Sequence, residues 1–360
     1  MKSRVLVLSV LAASLAACGG VRDRIAALPV PAPARFDARE LVDVLPPGRI
    51  RPIDRPSFEQ PAAAAAWLQP EEPVVVVSVG PDARAYPLAI LVWHEIVNDT
   101  IGGVPVAVTY SPLTNAAIAY DRRVEGRTES FGVSGKLYRS NLVMADRRTT
   151  TLWTQFDGRA VAGPSKGATL RVAPAQIASL SAFAEAFPTG GVLARPPASG
   201  RAYGFNPYAG YESRTSPFGG FIARAPDRRM PQMERVVGVA GVEPRAFRYR
   251  TLRGRGVLTF DQAGRGGVIF WEPGVHSALD TADMSEGRAV GSSGVFDAGS
   301  YGAFEPDAAT GAFRDIKTRS TWNVFGVATA GPLAGERLTP IPHVDTFWFA
   351  WAAFYPGSST

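Results

Sequence analysis

Residues 146–164 read Asp-Arg-Arg-Thr-Thr-Thr-Leu-Trp-Thr-Gln-Phe-Asp-Gly-Arg-Ala-Val-Ala-Gly-Pro, and residues 315–332 read Asp-Ile-Lys-Thr-Arg-Ser-Thr-Trp-Asn-Val-Phe-Gly-Val-Ala-Thr-Ala-Gly-Pro. Both carry Asp-x-x-Thr-x-[Ser/Thr]-x-Trp followed by Gly-x-Ala-x-x-Gly-Pro, with one residue inserted in the first window. Gly167-x-x-Leu170 then matches Gly335-x-x-Leu338. Upstream, Val76-Val77-Ser78-Val79 with Arg84-Ala85-Tyr86 parallels Val236-Val237-Gly238-Val239 with Arg245-Ala246-Phe247. The pieces keep their order. Solenoid repeats have periods of roughly 20–50 residues, and the period here is far longer, so the pattern reads as a domain duplication. It places one module at 48–190, a connector rich in Pro, Gly and Arg at 191–232, and a second module at 233–357.

The composition fits that reading. The chain has 360 residues, enough for two modules each with a core of its own. With 46% hydrophobic and 19% charged residues it is globular, and 37 Gly with 30 Pro turn the chain too often for long helices. Pro73–Val79, Val104–Tyr110, Ala116–Tyr120, Val257–Phe260 and Val268–Trp271 read as strands. Ala62–Ala66, after Pro61, reads as a short helix. Ile177–Phe187 and Thr346–Phe354 read as helices closing the two modules, each followed by a proline. Tyr86–Thr100 reads as a further helix with Leu88, Leu91, Val92 and Ile96 on its apolar face. The expected fold is α+β and β-rich: two tandem diverged copies of one module, packed as a pseudo-symmetric pair.

The net charge of +6 is almost all arginine and is dispersed, with no basic stripe and no zinc-finger or helix-turn-helix spacing, so no nucleic-acid partner is expected. Residues 1–18 are the sharpest local signal. Lys2 and Arg4 precede an uncharged run, Val5–Ala17, too short to span a bilayer comfortably, and Leu15-Ala16-Ala17-Cys18 has the form of a lipobox. The sequence therefore predicts a signal peptide and lipidation at Cys18. Because Gly19-Gly20 follow without an Asp, it also predicts an outer-membrane anchor facing the periplasm in a Gram-negative cell. Residues 19–47, with Leu28-Pro29-Val30-Pro31-Ala32-Pro33, read as a semi-rigid tether. Cys18 is the only cysteine, so the exported part has no disulfide, thiol nucleophile or thiolate metal site. No cofactor or metal is expected; the zincin pattern fails because position 98 is Asn.

Arg84-Ala85-Tyr86-Pro87-Leu88, Trp93-His94-Glu95-Ile96-Val97-Asn98-Asp99, Phe131-Gly132-Val133-Ser134-Gly135, Ala160-Val161-Ala162-Gly163-Pro164 and Phe347–Phe354 closely resemble the bacterial DUF3179 family, from about residue 48 to the C-terminus. The resemblance implies no activity. In one place the chain departs from it: where the family usually has Cys-Pro-Leu-Cys, this sequence has Ser111-Pro112-Leu113-Thr114. Thiol redox and soft-metal chemistry cannot run on those hydroxyls.

Three functional readings follow. In the first, an envelope lipoprotein binds a small molecule or an envelope-protein partner through a polar pocket in the first module. Its lining is drawn from His94, Glu95, Asn98, Tyr110, Ser111, Thr114, Ser134, Tyr138 and Arg139. In the second, a hydrolase or transferase uses His94 with Glu95 or Asp99 and the Ser111 hydroxyl. Gly132-Val133-Ser134-Gly135 does not match the Gly-x-Ser-x-Gly elbow. In the third, the chain is a degenerate relative of a thiol or metal family kept as a scaffold. Convergence of His94, Glu95, Ser111 and Thr114 on one cavity would favour the first two; side chains satisfied separately would favour the third. His94 and Glu95 have no counterpart in the second module. Asp146, Asp315, Trp153 and Trp322 occur in both modules and read as turn-capping and core residues. Phe347–Phe354 reads as core, with an exposed aromatic binding patch as the alternative.

Overall fold

The structure, a computed structural model, describes residues 35–197, 200–219, 225–307 and 310–360. The signal peptide, Cys18 and the Pro/Ala run lie outside the described residues. The fold is β-rich, with 40% strand and 14% helix.

In the first half, the valine run Pro73–Val79 pairs on one side with Asp82–Pro87 and on the other with Ala175–Ser179. Its valines are almost all buried, as expected for a strand covered on both faces. Helix Leu88–His94 leads into a second sheet, ordered Val172–Ala173, Ala116–Asp121, Val104–Ser111, Ile96–Ile101. Gly102 and Gly103, at φ 52° and 80°, make its first hairpin turn; positive φ at both positions suits glycine. A meander follows, Phe131–Tyr138, Asn141–Asp146, Leu152–Thr154 and Ala160–Ala162. Helix Leu180–Ala186 closes this half, capped at Ser179 by its own hydroxyl.

In the second half, Arg235–Val239 pairs with Arg245–Arg248 and with Val344–Phe347. Helix Tyr249–Arg255 leads to a sheet ordered Thr339–Pro340, Ser292–Asp297, Arg265–Glu272, Val257–Gln262. The meander is Phe304–Pro306, Phe313–Asp315, Thr321–Trp322 and Ala328–Ala330, and helix Trp348–Phe354 ends the half.

The halves pack reciprocally. Ala175–Ser179 lies against Ser292–Asp297, and Val344–Phe347 lies against Ala116–Asp121. Phe325 meets Phe187 at 5.2 Å between ring centroids, while Phe156 stacks on Phe354 at 4.4 Å. Thr346 donates to the Thr114 carbonyl at 2.7 Å. The largest apolar core contains residues of both halves, Phe156 and Trp351 among them.

The residues shared by the two sequence windows hold turns. Asp146 accepts from the Thr149 amide and hydroxyl and from Trp153 Nε1 at 3.0 Å. Asp315 accepts from the Thr318 amide and hydroxyl and from Trp322 Nε1 at 3.0 Å. Burial alone would raise both carboxyl pKa values, but these hydrogen bonds outweigh it and hold them below the ordinary range. Gly163 and Gly331, at φ 100° and 90°, lie so close to Thr151 and Ser320 that a Cβ would approach their Cα atoms to 2.6 and 2.7 Å. Both positions therefore require glycine.

Several boundaries differ from those read in the sequence. Tyr86–Thr100 is not one helix: it stops at His94, and Ile96–Ile101 is a strand paired with Val104–Thr109. The β-branched Ile96, Val97, Thr100 and Ile101 favour the pleated surface, and Glu95 ends the helix in the left-handed region. The two closing helices begin later than expected, because Ala175–Ser179 and Val344–Phe347 belong to sheets. The helix after Gln60 is one turn, Pro61–Ala64. Leu41–Asp43, inside the expected tether, adds an edge strand to Phe131–Tyr138. Gly191–Leu193, inside the expected connector, pairs in parallel with Asp82–Pro87. The aromatic stretch Phe347–Phe354 is buried, with Trp348 0%, Trp351 1% and Phe354 0% exposed, which removes the exposed-patch alternative.

Candidate functional site

The site is built around the end of helix Leu88–His94. Glu95 turns the chain there at φ 57°, its amide donating to the Leu91 carbonyl at 2.8 Å and its carbonyl accepting from the Tyr110 amide at 2.8 Å. The second half makes the same corner with glycine. Gly256, at φ 68°, donates to the Leu252 carbonyl at 2.8 Å and accepts from the Trp271 amide at 2.8 Å. Glycine takes this conformation freely, whereas a side-chain-bearing residue is strained by about 1–2 kcal/mol. The first half therefore carries a glutamate where the backbone favours glycine.

The Glu95 side chain is only 8% exposed, and no hydrogen bond or ion pair reaches its carboxyl among the described residues. Burial, with no compensating charge or donor, pushes its pKa up to about 8. It is a neutral acid at pH 7, with a proton to donate and a carbonyl oxygen to accept.

The flanking residues are arranged differently. His94 points Nδ1 at the Arg51 carbonyl at 2.7 Å; a carbonyl only accepts, so Nδ1 carries the proton and Nε2 accepts from the Tyr203 hydroxyl at 2.7 Å. Burial lowers the His94 pKa, the Arg201 charge adds to that, and the bond to Arg51 opposes it. Trp93 Nε1 is buried without a partner, and the Arg201 guanidinium lies 5.0 Å over the Trp93 ring. Residues 201–211 cover this end of the first half. Tyr203 bonds His94, and the Tyr211 hydroxyl donates to the Leu113 carbonyl at 2.7 Å. Tyr208 lies close enough to Glu95 for the carboxylate charge to add to burial in raising its pKa.

The other candidates are buried and bonded elsewhere. Asn98 Nδ2 donates to Asp54 at 2.8 Å and to the Phe131 carbonyl at 2.9 Å, and its oxygen accepts from the Phe131 amide. Asp99 is gripped by Arg84 at 2.7 and 2.8 Å and by the Tyr86 hydroxyl at 2.5 Å. Tyr110 donates to Asn115 at 3.1 Å. Ser111 Oγ accepts from the Leu142 amide at 3.2 Å, and Thr114 Oγ1 accepts from Asn141 Nδ2 at 2.9 Å. Where the family resemblance expects cysteines, two hydroxyls thus belong to an interior network that also includes Gln155 and Thr109. Ser134 donates to the Val143 carbonyl at 2.5 Å. The Tyr138 hydroxyl accepts from the Asp37 amide at 3.3 Å. Arg139 pairs with Glu40 at 2.5 Å and donates to the Ala353 carbonyl at 2.6 Å, tying the turn before the N-terminal edge strand to the last helix.

Among the described residues no hydrogen bond joins His94 to Glu95, Asp99 or Ser111. Asn98 and Asp99 lie on a strand and not on the expected helix, so neither shares a helix face with His94 or Glu95. His94, Ser111 and Thr114 are satisfied separately; Glu95 is not. Sequence reading missed the connector tyrosines. The signal was present in Arg201-Ala202-Tyr203-Gly204-Phe205-Asn206-Pro207-Tyr208-Ala209-Gly210-Tyr211, which is more aromatic than a plain linker.

No curated protein and no solved structure matches the chain. A family model described as a protein of unknown function (DUF3179) matches residues 47–358, spanning both halves and the Glu95 corner. The chain belongs to the DUF3179 family.

Proposed function

We propose that this chain is an envelope lipoprotein, anchored through Cys18, that binds a small uncharged polar molecule at the Glu95 corner of its first module under the connector tyrosines. The observation that carries the reading is the Glu95 side chain: buried, strained, unpartnered, and standing where the matching corner uses Gly256. Backbone strain and an ionisable group held away from any compensating charge both cost stability, and their coincidence is typical of a site kept for function. A protonated carboxyl offers one donor and one acceptor, which suits an amide, urea or carbonyl-and-hydroxyl ligand better than an ion.

The hydrolase reading has less support. A nucleophilic Ser111 needs a base within reach, and His94 spends both ring nitrogens on Arg51 and Tyr203. The scaffold reading accounts for Ser111 and Thr114 but not for Glu95.

Native mass spectrometry on residues 19–360, purified from an envelope extract, tests binding. The expected result is an excess mass released on denaturation and lost in Glu95→Leu. A bare-chain mass in the wild type, or an adduct that survives Glu95→Leu, would count against the site.

We also propose that the two modules are diverged copies packed about a pseudo-twofold axis. Support comes from the matched strand orders, the paired Asp–Trp turns and the reciprocal contacts of Phe156 and Phe325. The second copy then keeps the scaffold, and its Gly256 corner marks where the site is absent. For the anchor, palmitate labelling of cells is expected to label the wild type and to leave Cys18→Ser unlabelled and released from membranes. Two or more acyl chains hold a protein stably where one is marginal. Equal labelling of Cys18→Ser would remove the anchor from the account.

A further inference from the structure

Besides the Glu95 corner, the two halves differ where the closing helix meets the first strand of each. At Gly238 an added Cβ would lie 2.1 Å from the Trp351 ring, so the indole fills the space over that strand. Trp351 in turn packs on Tyr355 at 4.4 Å, and Phe156 stacks on Phe354 beside them. By the registers with both neighbouring strands, Val76 stands in the first half where Gly238 stands in the second, and Phe183 of the closing helix stands where Trp351 does. Beside this strand a cleft of about 400 Å³ opens between the halves, bounded by Ser78, Gln176 and Phe187 from the first half and by Phe325, Arg337 and His343 from the second. Its volume lies within the range of about 300–1,000 Å³ usual for small-ligand sites.

The cleft has a definite chemistry. No Asp or Glu lines it, and Arg337 supplies its only full charge. The exposed Arg337 guanidinium sits 5.6 Å over the Phe187 ring, with no ion pair to a carboxylate among the described residues. His343 Nδ1 faces the Ile341 carbonyl at 3.1 Å, so Nδ1 carries the proton and Nε2 is left as an acceptor. That Nε2 is buried and has no partner. A buried acceptor without a donor costs about 1–3 kcal/mol, which a ligand donor would recover. Phe187 and Phe325, 5.2 Å apart at 64°, form an edge-to-face wall on which a further ring can pack.

We propose that this cleft binds a small aromatic carboxylate bearing a hydroxyl. Its carboxylate is held by Arg337, its hydroxyl donates to His343 Nε2, and its ring lies against Phe187 and Phe325. The site shares no residue with the Glu95 corner and stands independently of it.

The test is calorimetric titration of the purified whole chain with 4-hydroxybenzoate, 4-hydroxybenzamide and benzoate as probes. The expected order is 4-hydroxybenzoate tightest, with the amide weaker by about tenfold or more because it cannot pair with the guanidinium. Benzoate is expected to be weaker by several-fold because it brings no donor to His343. Arg337→Gln, a change at an exposed side chain that should leave folding intact, is expected to erase the preference for the carboxylate over the amide. Ser78→Phe, which fills the cleft, is expected to abolish binding of all three. Failure of 4-hydroxybenzoate to bind, binding unchanged by Ser78→Phe, or a carboxylate preference that survives Arg337→Gln would each overturn the proposal.

Discussion

Trp153→Ala and Trp322→Ala each lower the free energy of unfolding by about 3–5 kcal/mol, the usual cost of truncating a fully buried tryptophan. Both indoles are 0% exposed, and each donates to a buried carboxylate. Truncation therefore opens a cavity and also removes one of the donors that hold Asp146 or Asp315 ionised in the interior. Trp153→Phe and Trp322→Phe separate the two effects. Phenylalanine restores much of the volume but not the N–H, so the residual loss is about 1.5–3 kcal/mol, the worth of one hydrogen bond to a charged acceptor that keeps its other donors. Urea unfolding of the four variants measures this directly. A loss below about 1.5 kcal/mol for either alanine variant would contradict the packing described here. A large loss in one half and none in the other would contradict the structural equivalence of the two turns.

Glu95→Gln makes the protein more stable at pH 9 and leaves it nearly unchanged at pH 5. The Glu95 pKa is raised from 4.5 to about 8 in the folded state. Stability is therefore undiminished below the unfolded value and is lost as pH rises through the folded one. Each pKa unit corresponds to about 1.4 kcal/mol, so ionisation of this one group removes about 3–5 kcal/mol by pH 9. Glutamine has nearly the same shape and cannot ionise, so it escapes the loss. Glu272, buried beside Ser292 with a pKa pushed up to about 7, loses stability in the same window. The informative quantity is thus the difference between wild type and variant at each pH. Melting temperatures from pH 5 to pH 9 supply it. Parallel profiles for the two proteins would mean that Glu95 is ionised in the fold or solvated.

The β-rich class and the paired turns were legible in the sequence because their determinants are local. Asp146 and Asp315 sit at fixed spacing from the Thr and Trp that they bond, and spacing is what a sequence displays. The valine run was legible for the same reason. Tyr86–Thr100 misled because Leu88, Leu91 and Val92 do form a helix, while its end is set by one left-handed residue, Glu95, that carries no glycine signature. The strand ends of the closing helices were hidden because Ala175–Ser179 and Val344–Phe347 find their partners some hundred residues away along the chain.

The site was legible as residues but not as an arrangement. Trp93-His94-Glu95 stood out as a constellation. Nothing local indicates that His94 is occupied by Arg51 and Tyr203 while Glu95 is left without a partner. That difference comes from a connector whose contacts with the helix end span more than a hundred residues. Ser111 and Thr114 read in the sequence as pocket-lining hydroxyls, yet the short turn Pro112–Thr114 folds inward and both are buried against Asn141 and Leu142.

The central claim is that Glu95 is held as a neutral, unpartnered acid at neutral pH. Infrared difference spectroscopy of wild type against Glu95→Gln, recorded from pH 5 to pH 9, addresses it most directly. The account predicts a carboxylic-acid carbonyl band at pH 7 that is absent from the variant and disappears with a midpoint near pH 8. A carboxylate signal already complete at pH 6 would contradict it, because a glutamate ionised there has found a partner or water, and the corner would have no unmet acid to offer a ligand.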